Sequence, residues 1–230
     1  MPTLEQPLPL RLPARQTFNQ RNVDACFSCA IATTLEARGL EVPALSAAFH
    51  LYRATGGAAA TGGMTLETAR LVQGQYGICR QNKYDHDIGA GTPTVSPDPD
   101  AEADARRRRT LADADGNRTF RRLPGANRPA EWRAALAQKL PVLIRLWLNN
   151  GYRALEQNHD NPTWTDTTQG DRNHAVVVIG HEPAQLRFVV QDSRGSDFAL
   201  QGQWFLPEAQ AVLGPITDAY VLTIPLQRLL

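Results

Sequence analysis

Three side chains spread along the sequence have the types and order of a nucleophile, a base and a group that orients the base. Cys26 sits in Asn19-Gln20-Arg21-Asn22-Val23-Asp24-Ala25-Cys26-Phe27-Ser28-Cys29-Ala30. Far downstream His174 opens the apolar run Asn173-His174-Ala175-Val176-Val177-Val178-Ile179-Gly180, and Asp192 closes a second apolar run at Gln191-Asp192-Ser193-Arg194-Gly195. A thiol activated by an imidazole, itself held by a carboxylate, attacks carbonyl carbon and forms a covalent intermediate. Gln20, six residues before Cys26, supplies a side-chain amide that can donate to a developing oxyanion beside the Cys26 backbone N–H.

These residues need elements to position them. Cys26, Phe27, Ala30, Ile31, Thr34 and Leu35 recur at helical spacing, so a helix is expected to start at Asp24 or Ala25, with Gly39 as its left-handed C-terminal cap. Cys26 then lies in the first turn, where the positive end of the helix dipole favours thiolate. The competing reading of a free cysteine in a helix is a small buried apolar residue. Further helices are expected over 46–54, 64–76 and 130–139, and a Pro/Asp/Ala-rich stretch over 91–129 interrupts them. Within it, 101–111 reads as a polar surface helix, with Arg106 to Arg109 solvated and partly neutralised by the acids between Asp98 and Asp104. Residues 141–148, 175–179, 186–191, 203–206 and 219–224 are β-branched or aromatic runs bounded by Gly, Pro and Asp, and read as strands. Helices first and strands afterwards, with no internal repeat, point to an α+β architecture.

Bulk properties set bounds on the function. A length of 230 residues, 42% hydrophobic content and a formal net charge of +1 describe an ordinary globular chain of one large domain or two lobes sharing a core. Near-zero net charge gives no electrostatic basis for binding nucleic acid or an anionic membrane. No window approaches the length of a membrane span, and the first residues lack the apolar core of a signal peptide. Three cysteines are too few for a disulfide framework. The expected location is the cytoplasm, or outside it by a route without a cleaved signal. Cys26 and Cys29 form a C-x-x-C pair, but without a second such pair or an H-x-x-x-H they do not make a zinc site, so no metal or cofactor is expected.

Gln20, Cys26, Phe27, Ser28 and Ala30 resemble, in order and spacing, the active-site segment of the papain family of cysteine peptidases, with Phe27 where that family usually has Trp. The alternative register, with Cys29 as nucleophile, places Val23 at the amide position and Ala30 at the aromatic one. His174 at the head of its strand resembles the family's Gly-His-Ala-Val segment. Asp192-Ser193-Arg194-Gly195 resembles its Asn-Ser-Trp-Gly, and residues 202–207 resemble its closing Gly-Tyr-x-x-Ile/Leu-Pro strand. Weaker likenesses lie at Leu45-Ser46, 63–79 and 132–142, so the resemblance spans 12–225 with a poor match over 88–125.

The resemblance implies one papain-like catalytic domain of two lobes. Residues 18–90 would form a helical lobe, 91–128 a loop and surface-helix insertion, and 129–230 a β-rich lobe. Catalytic roles fall to Cys26 as nucleophile, His174 as base, Asp192 as the group that orients His174, and Gln20 in the oxyanion site. Asp192 stands where the family has Asn and should hold His174 more firmly as imidazolium. Arg194 stands where the family has an indole shielding that hydrogen bond, which puts its water exclusion in question. The implied activity is hydrolysis of a peptide or isopeptide amide in an extended peptide or protein substrate. With no long inhibitory segment ahead of Gln20, restraint is expected from compartment, a protein inhibitor or immunity partner, or narrow specificity. Rival readings keep the site for deamidation or acyl transfer, as in a bacterial toxin or effector, or make the chain an inactive papain-like binding module. Residues near Gly62, Gly63 and Met64 are the candidates for the substrate pocket.

Overall fold

A computed structural model describes residues 9–14, 16–39, 41–58, 64–110, 120–125 and 129–230. Gly62 and Gly63 lie outside the described residues, and the helix expected over 101–111 runs instead from Pro99 to Arg106, with residue 111 outside the described residues. The elements run β1 (Leu10–Arg11), α1 (Cys26–Glu36), α2 (Ala47–Thr55), α3 (Leu66–Gln75), α4 (Pro99–Arg106), β2 (Phe120–Arg122), α5 (Pro129–Ala137), β3 (Val142–Leu148), α6 (Asn150–Ala154), β4 (Arg172–Glu182), β5 (Arg187–Gln191), β6 (Gln203–Pro207), α7 (Glu208–Leu213) and β7 (Ile216–Leu222). Helices α1 to α4 come before the main strands, and α5 to α7 lie among those strands, in a two-lobe α+β arrangement. Among the described residues no helix is long and apolar enough to cross a membrane.

The strands form one antiparallel sheet in the order β2-β7-β3-β4-β5-β6. β4 is central: β3 pairs with its first half and β5 with its second, while β1 pairs at Gly180 and His181. With α1 on β4 and α5 also packed against it, residues 174–181 are all buried. That is why the His174 run is continuously apolar rather than alternating. Gly180 is required by close approach: a Cβ there would lie 2.6 Å from the Leu10 carbonyl oxygen. The strand is longer than the expected 175–179 because pairing with β1, β3 and β5 extends over polar residues at both ends.

Local signals explain the helix ends. Ser46 caps α2 by accepting from the Phe49 N–H at 3.1 Å, Thr65 caps α3 in the same way, and Asp98 caps α4 with Pro99 in its first turn. The expectation for Gly39 does not hold, because α1 ends at Glu36 with Ala37 in right-handed conformation as its cap. β2 lies inside the 91–128 stretch and pairs with β7 through Phe120 and Leu222, so part of that stretch belongs to the sheet.

The solvated reading of Arg106 to Arg109 is corrected at Arg108, which is 1% exposed. Its Nη1 donates to Asp104 Oδ2 at 2.8 Å and its Nε to the Leu229 carbonyl at 2.9 Å. The turn after α4 carries this guanidinium inward, where its charge is paired and its donors are used.

α1 is tied to α2 by a polar contact just beyond Cys26: Ser28 Oγ lies 3.0 Å from His50 Nδ1, and both residues are wholly buried. Burial pushes the His50 imidazole down to about 4. The unfolded chain takes up a proton near 6.5 and the folded imidazole resists it, so stability present above 6.5 falls by roughly 3 kcal/mol as pH drops through that window. Denaturant titrations across pH 6.5 to 4 are expected to show this decline in the wild type and a flatter dependence in His50→Gln. Equal slopes in the two proteins would remove His50 as the cause.

Candidate active site

Cys26 is the first residue of α1, with Ala25 at the N-cap position, and it is half-buried. The loop leading to it is sewn to the end of β5. Gln20 N–H donates to the Ser193 carbonyl at 2.9 Å, Gly195 N–H donates to the Phe18 carbonyl at 2.8 Å, and Asn19 forms an antiparallel bridge with Arg194. Gly195 has φ +94, and a Cβ on it would fall 2.8 Å from Asn19 Nδ2. A larger residue would push the thiol's loop away from the strand that carries Asp192.

His174 lies near the start of β4, and Asp192 directly follows β5, its N–H donating to the Gly202 carbonyl at 2.8 Å. His174 Nε2 is 2.9 Å from Asp192 Oδ1. The Cys26 side chain is near enough to the imidazole to favour its protonated form.

The Asp192 carboxylate accepts four hydrogen bonds. Oδ1 receives His174 and the Ser193 N–H at 2.8 Å, while Oδ2 receives Tyr152 Oη at 2.8 Å and Trp204 Nε1 at 3.0 Å. Burial alone would raise this carboxyl, but the His174 charge and the bonds from His174, Tyr152 and Trp204 outweigh it and hold the group below its usual range. Burial likewise disfavours charge on His174, and here Asp192, by charge and hydrogen bond, with Cys26 after it, pushes the imidazole up to about 10. Burial first and Asp192 second drive Tyr152 well upward, so its hydroxyl stays a donor.

Tyr152 and Trp204 were not expected from the sequence as parts of the site. Tyr152 comes from α6, whose cap Asn149 accepts from Tyr152 N–H at 3.0 Å and from Trp164 Nε1 at 2.9 Å. An Asn three residues ahead of a Tyr is a helix-start signal, but only the fold shows which carboxylate that helix reaches. Water exclusion, in question at Arg194, comes from other residues. The Tyr152 ring packs against His174 at 5.6 Å, Phe198 at 5.6 Å and Trp204 at 6.0 Å between centroids, and the Asp192 side chain is 0% exposed. Arg194 instead turns outward to Glu156 at 3.3 Å and over the Phe198 ring.

Gln20 lies on the sewn loop with its amide held at both ends. Its Oε1 accepts from Ser193 Oγ at 2.5 Å and its Nε2 donates to the Val23 carbonyl at 3.2 Å. One Nε2 hydrogen is left over by these bonds. The other thiols differ from Cys26. Cys29 and Cys79 are wholly buried, and burial pushes Cys29 well above its ordinary value and Cys79 up to about 12. Among the described residues no group of three His, Cys, Asp or Glu side chains is placed to hold a metal ion. Met64 lines a cavity beside Cys26 together with Leu66, Trp147 and Arg172.

No protein-family model and no curated protein matches the chain. Solved structures do match over most of its length. Xylellain, a cysteine protease from Xylella fastidiosa, superposes with a TM-score of 0.77 at 16% identity, covering 96% of this chain and 87% of that one. Digestive procathepsin L 3 of Tenebrio molitor gives 0.68 at 16% identity over 95% and 71% of the two chains. The bromelain protease of Ananas comosus gives 0.66 at 15% identity over 92% and 94%. At such identities the likeness speaks for the fold, and the chain adopts the papain-like cysteine protease fold.

Proposed function

We propose that the chain is a papain-like cysteine peptidase that hydrolyses a peptide or isopeptide amide through a thioester on Cys26. The observation that carries this reading is the buried imidazole of His174 held at 2.9 Å by a buried and fully hydrogen-bonded Asp192 carboxylate, with Cys26 near enough to favour its protonated form.

The Cys26 sulfur, paired with imidazolium, attacks the carbonyl carbon. The carbonyl π pair moves to oxygen, and the resulting oxyanion is met by the leftover Nε2 hydrogen of Gln20 and by the Cys26 N–H. The latter belongs to the first turn of a helix, where backbone donors have no intrahelical acceptor. Collapse expels the amine, which takes its proton from His174. Neutral His174 then removes a proton from water, the hydroxide carbon–oxygen bond forms, and loss of the carboxyl product returns the thiolate and imidazolium. The Ser193 hydroxyl acts through Gln20, fixing which end of the amide faces the reacting carbon.

Alkylation with mass mapping tests the assignment of the nucleophile. Cys26 is expected to label first, and His174→Ala to slow its labelling near neutral pH by on the order of a hundredfold. First labelling of Cys29 or Cys79 would overturn it. Gln20→Ala is expected to lower kcat on a peptide by on the order of a hundredfold while leaving Cys26 labelling much closer to wild type. Products should be peptide fragments, and ammonia or a transfer product in their place would point to deamidation or acyl transfer.

The charge on Asp192 governs the alkaline limit. A raised His174 value means that its stabilising ion pair is complete below about 6.5 and is lost as pH climbs through about 10. Asp192→Asn removes the charge that raises it, so the alkaline limb of the labelling profile is expected to move to lower pH. An unmoved limb would show that another group sets it.

A further inference from the structure

The cavity beside Cys26 encloses about 360 Å³ and draws its lining from both lobes. Phe27, Met64, Leu66 and Trp147 give it apolar walls, and Asp24, Arg145, Asp171 and Arg172 bring charge to it. We propose that this cavity selects an acidic side chain of the substrate, received by Arg172 with Arg145 beside it. The inference rests on the peptidase reading, because it names the side chain that accompanies the amide to Cys26.

Arg172 reaches across the cleft, where its Nη2 donates to Asp24 Oδ1 at 2.6 Å, and its side chain is 66% exposed. A guanidinium has five donors in a planar fork, so this one bond leaves most of the fork for a second carboxylate. Arg145 is held still by Asp218 Oδ2 at 2.7 Å and Thr217 Oγ1 at 2.7 Å, and adds a fixed positive charge to the same wall.

The acids that a basic side chain would meet here are already paired with arginines. Both Asp171 oxygens accept from Arg153 Nη2 at 2.8 Å. Asp24 is 26% exposed and already bound by Arg172. A substrate cation would have to take Asp24 and release Arg172 beside Arg145, setting like charges together. An acid leaves the Asp24–Arg172 bridge in place and adds to it, while its methylenes lie along the apolar walls.

The test uses thiol-reactive peptidyl fluoromethyl ketones carrying Glu, Gln, Lys or Leu at each of the two residues nearest the reactive carbon. The rate of Cys26 labelling is read by mass spectrometry on the full chain. At one of these positions Glu is expected to exceed Gln by about tenfold, with the advantage shrinking as salt is added. Arg172→Gln should bring the Glu to Gln ratio to about one, and Arg172→Glu should pass the advantage to Lys. Faster labelling by Lys or Leu in the wild type, or an unchanged Glu advantage in Arg172→Gln, overturns this inference and leaves the peptidase reading standing. Failure of every compound to label Cys26 overturns that reading and this inference with it.

Discussion

A carboxylate shut away from water sets the terms for the site. The Asp192 side chain is 0% exposed, and burying an ionised group is costly unless its oxygens are hydrogen-bonded. Here every donor comes from a different part of the chain. His174 belongs to β4, Tyr152 to α6 and Trp204 to β6, and the Ser193 N–H continues the backbone beyond β5. Bonds to a charged acceptor are worth about 1.5–3 kcal/mol each, so the group holds these elements in register as much as they hold it. Its charge is also what keeps a buried imidazole protonated against the penalty of its own burial.

The thiol is not positioned independently of that carboxylate. Phe18, Asn19 and Gln20 pair with Ser193, Arg194 and Gly195, so the loop that aims α1 is an edge of the same backbone that carries Asp192. The Gln20 amide is fixed by Ser193, which also donates its N–H to Asp192. A shift of the β5 end would move the Asp192 carboxylate, the amide and the helix start together. This accounts for the tight glycine at 195, where a Cβ would strike Asn19.

Three cysteines of the same intrinsic chemistry end in three environments. Cys29 and Cys79 are buried, where the thiolate is disfavoured, and only Cys26 combines a helix start, partial exposure and a nearby imidazole. The four arginines at and after the end of α4 separate in the same way: Arg108 is among the most buried side chains of the molecule, while its neighbours Arg106 and Arg107 lie at the surface. Residue type sets what a side chain can do, and enclosure decides whether it does so.

Much of the architecture was legible in the amino-acid sequence. Helical spacing placed Cys26 in a first turn, and the β-branched runs marked the strands. The order of helices before strands gave the α+β class, because periodicity and turn residues are local properties. Tyr152 and Trp204 as partners of Asp192 were not legible, nor was the pairing of Phe120 with Leu222, since these contacts join separate elements and leave no periodic trace. Arg194 misled for a related reason: the sequence shows that an indole is missing at that position, but not that Tyr152 and Trp204 arrive from elsewhere to cover the same bond. By itself the sequence determined where a thiol, an imidazole and a carboxylate lie along the chain and on which elements they ride. Only the tertiary structure decided how that chemistry is enclosed, because desolvation and the pairing of buried charges depend on neighbours that the chain brings together in space.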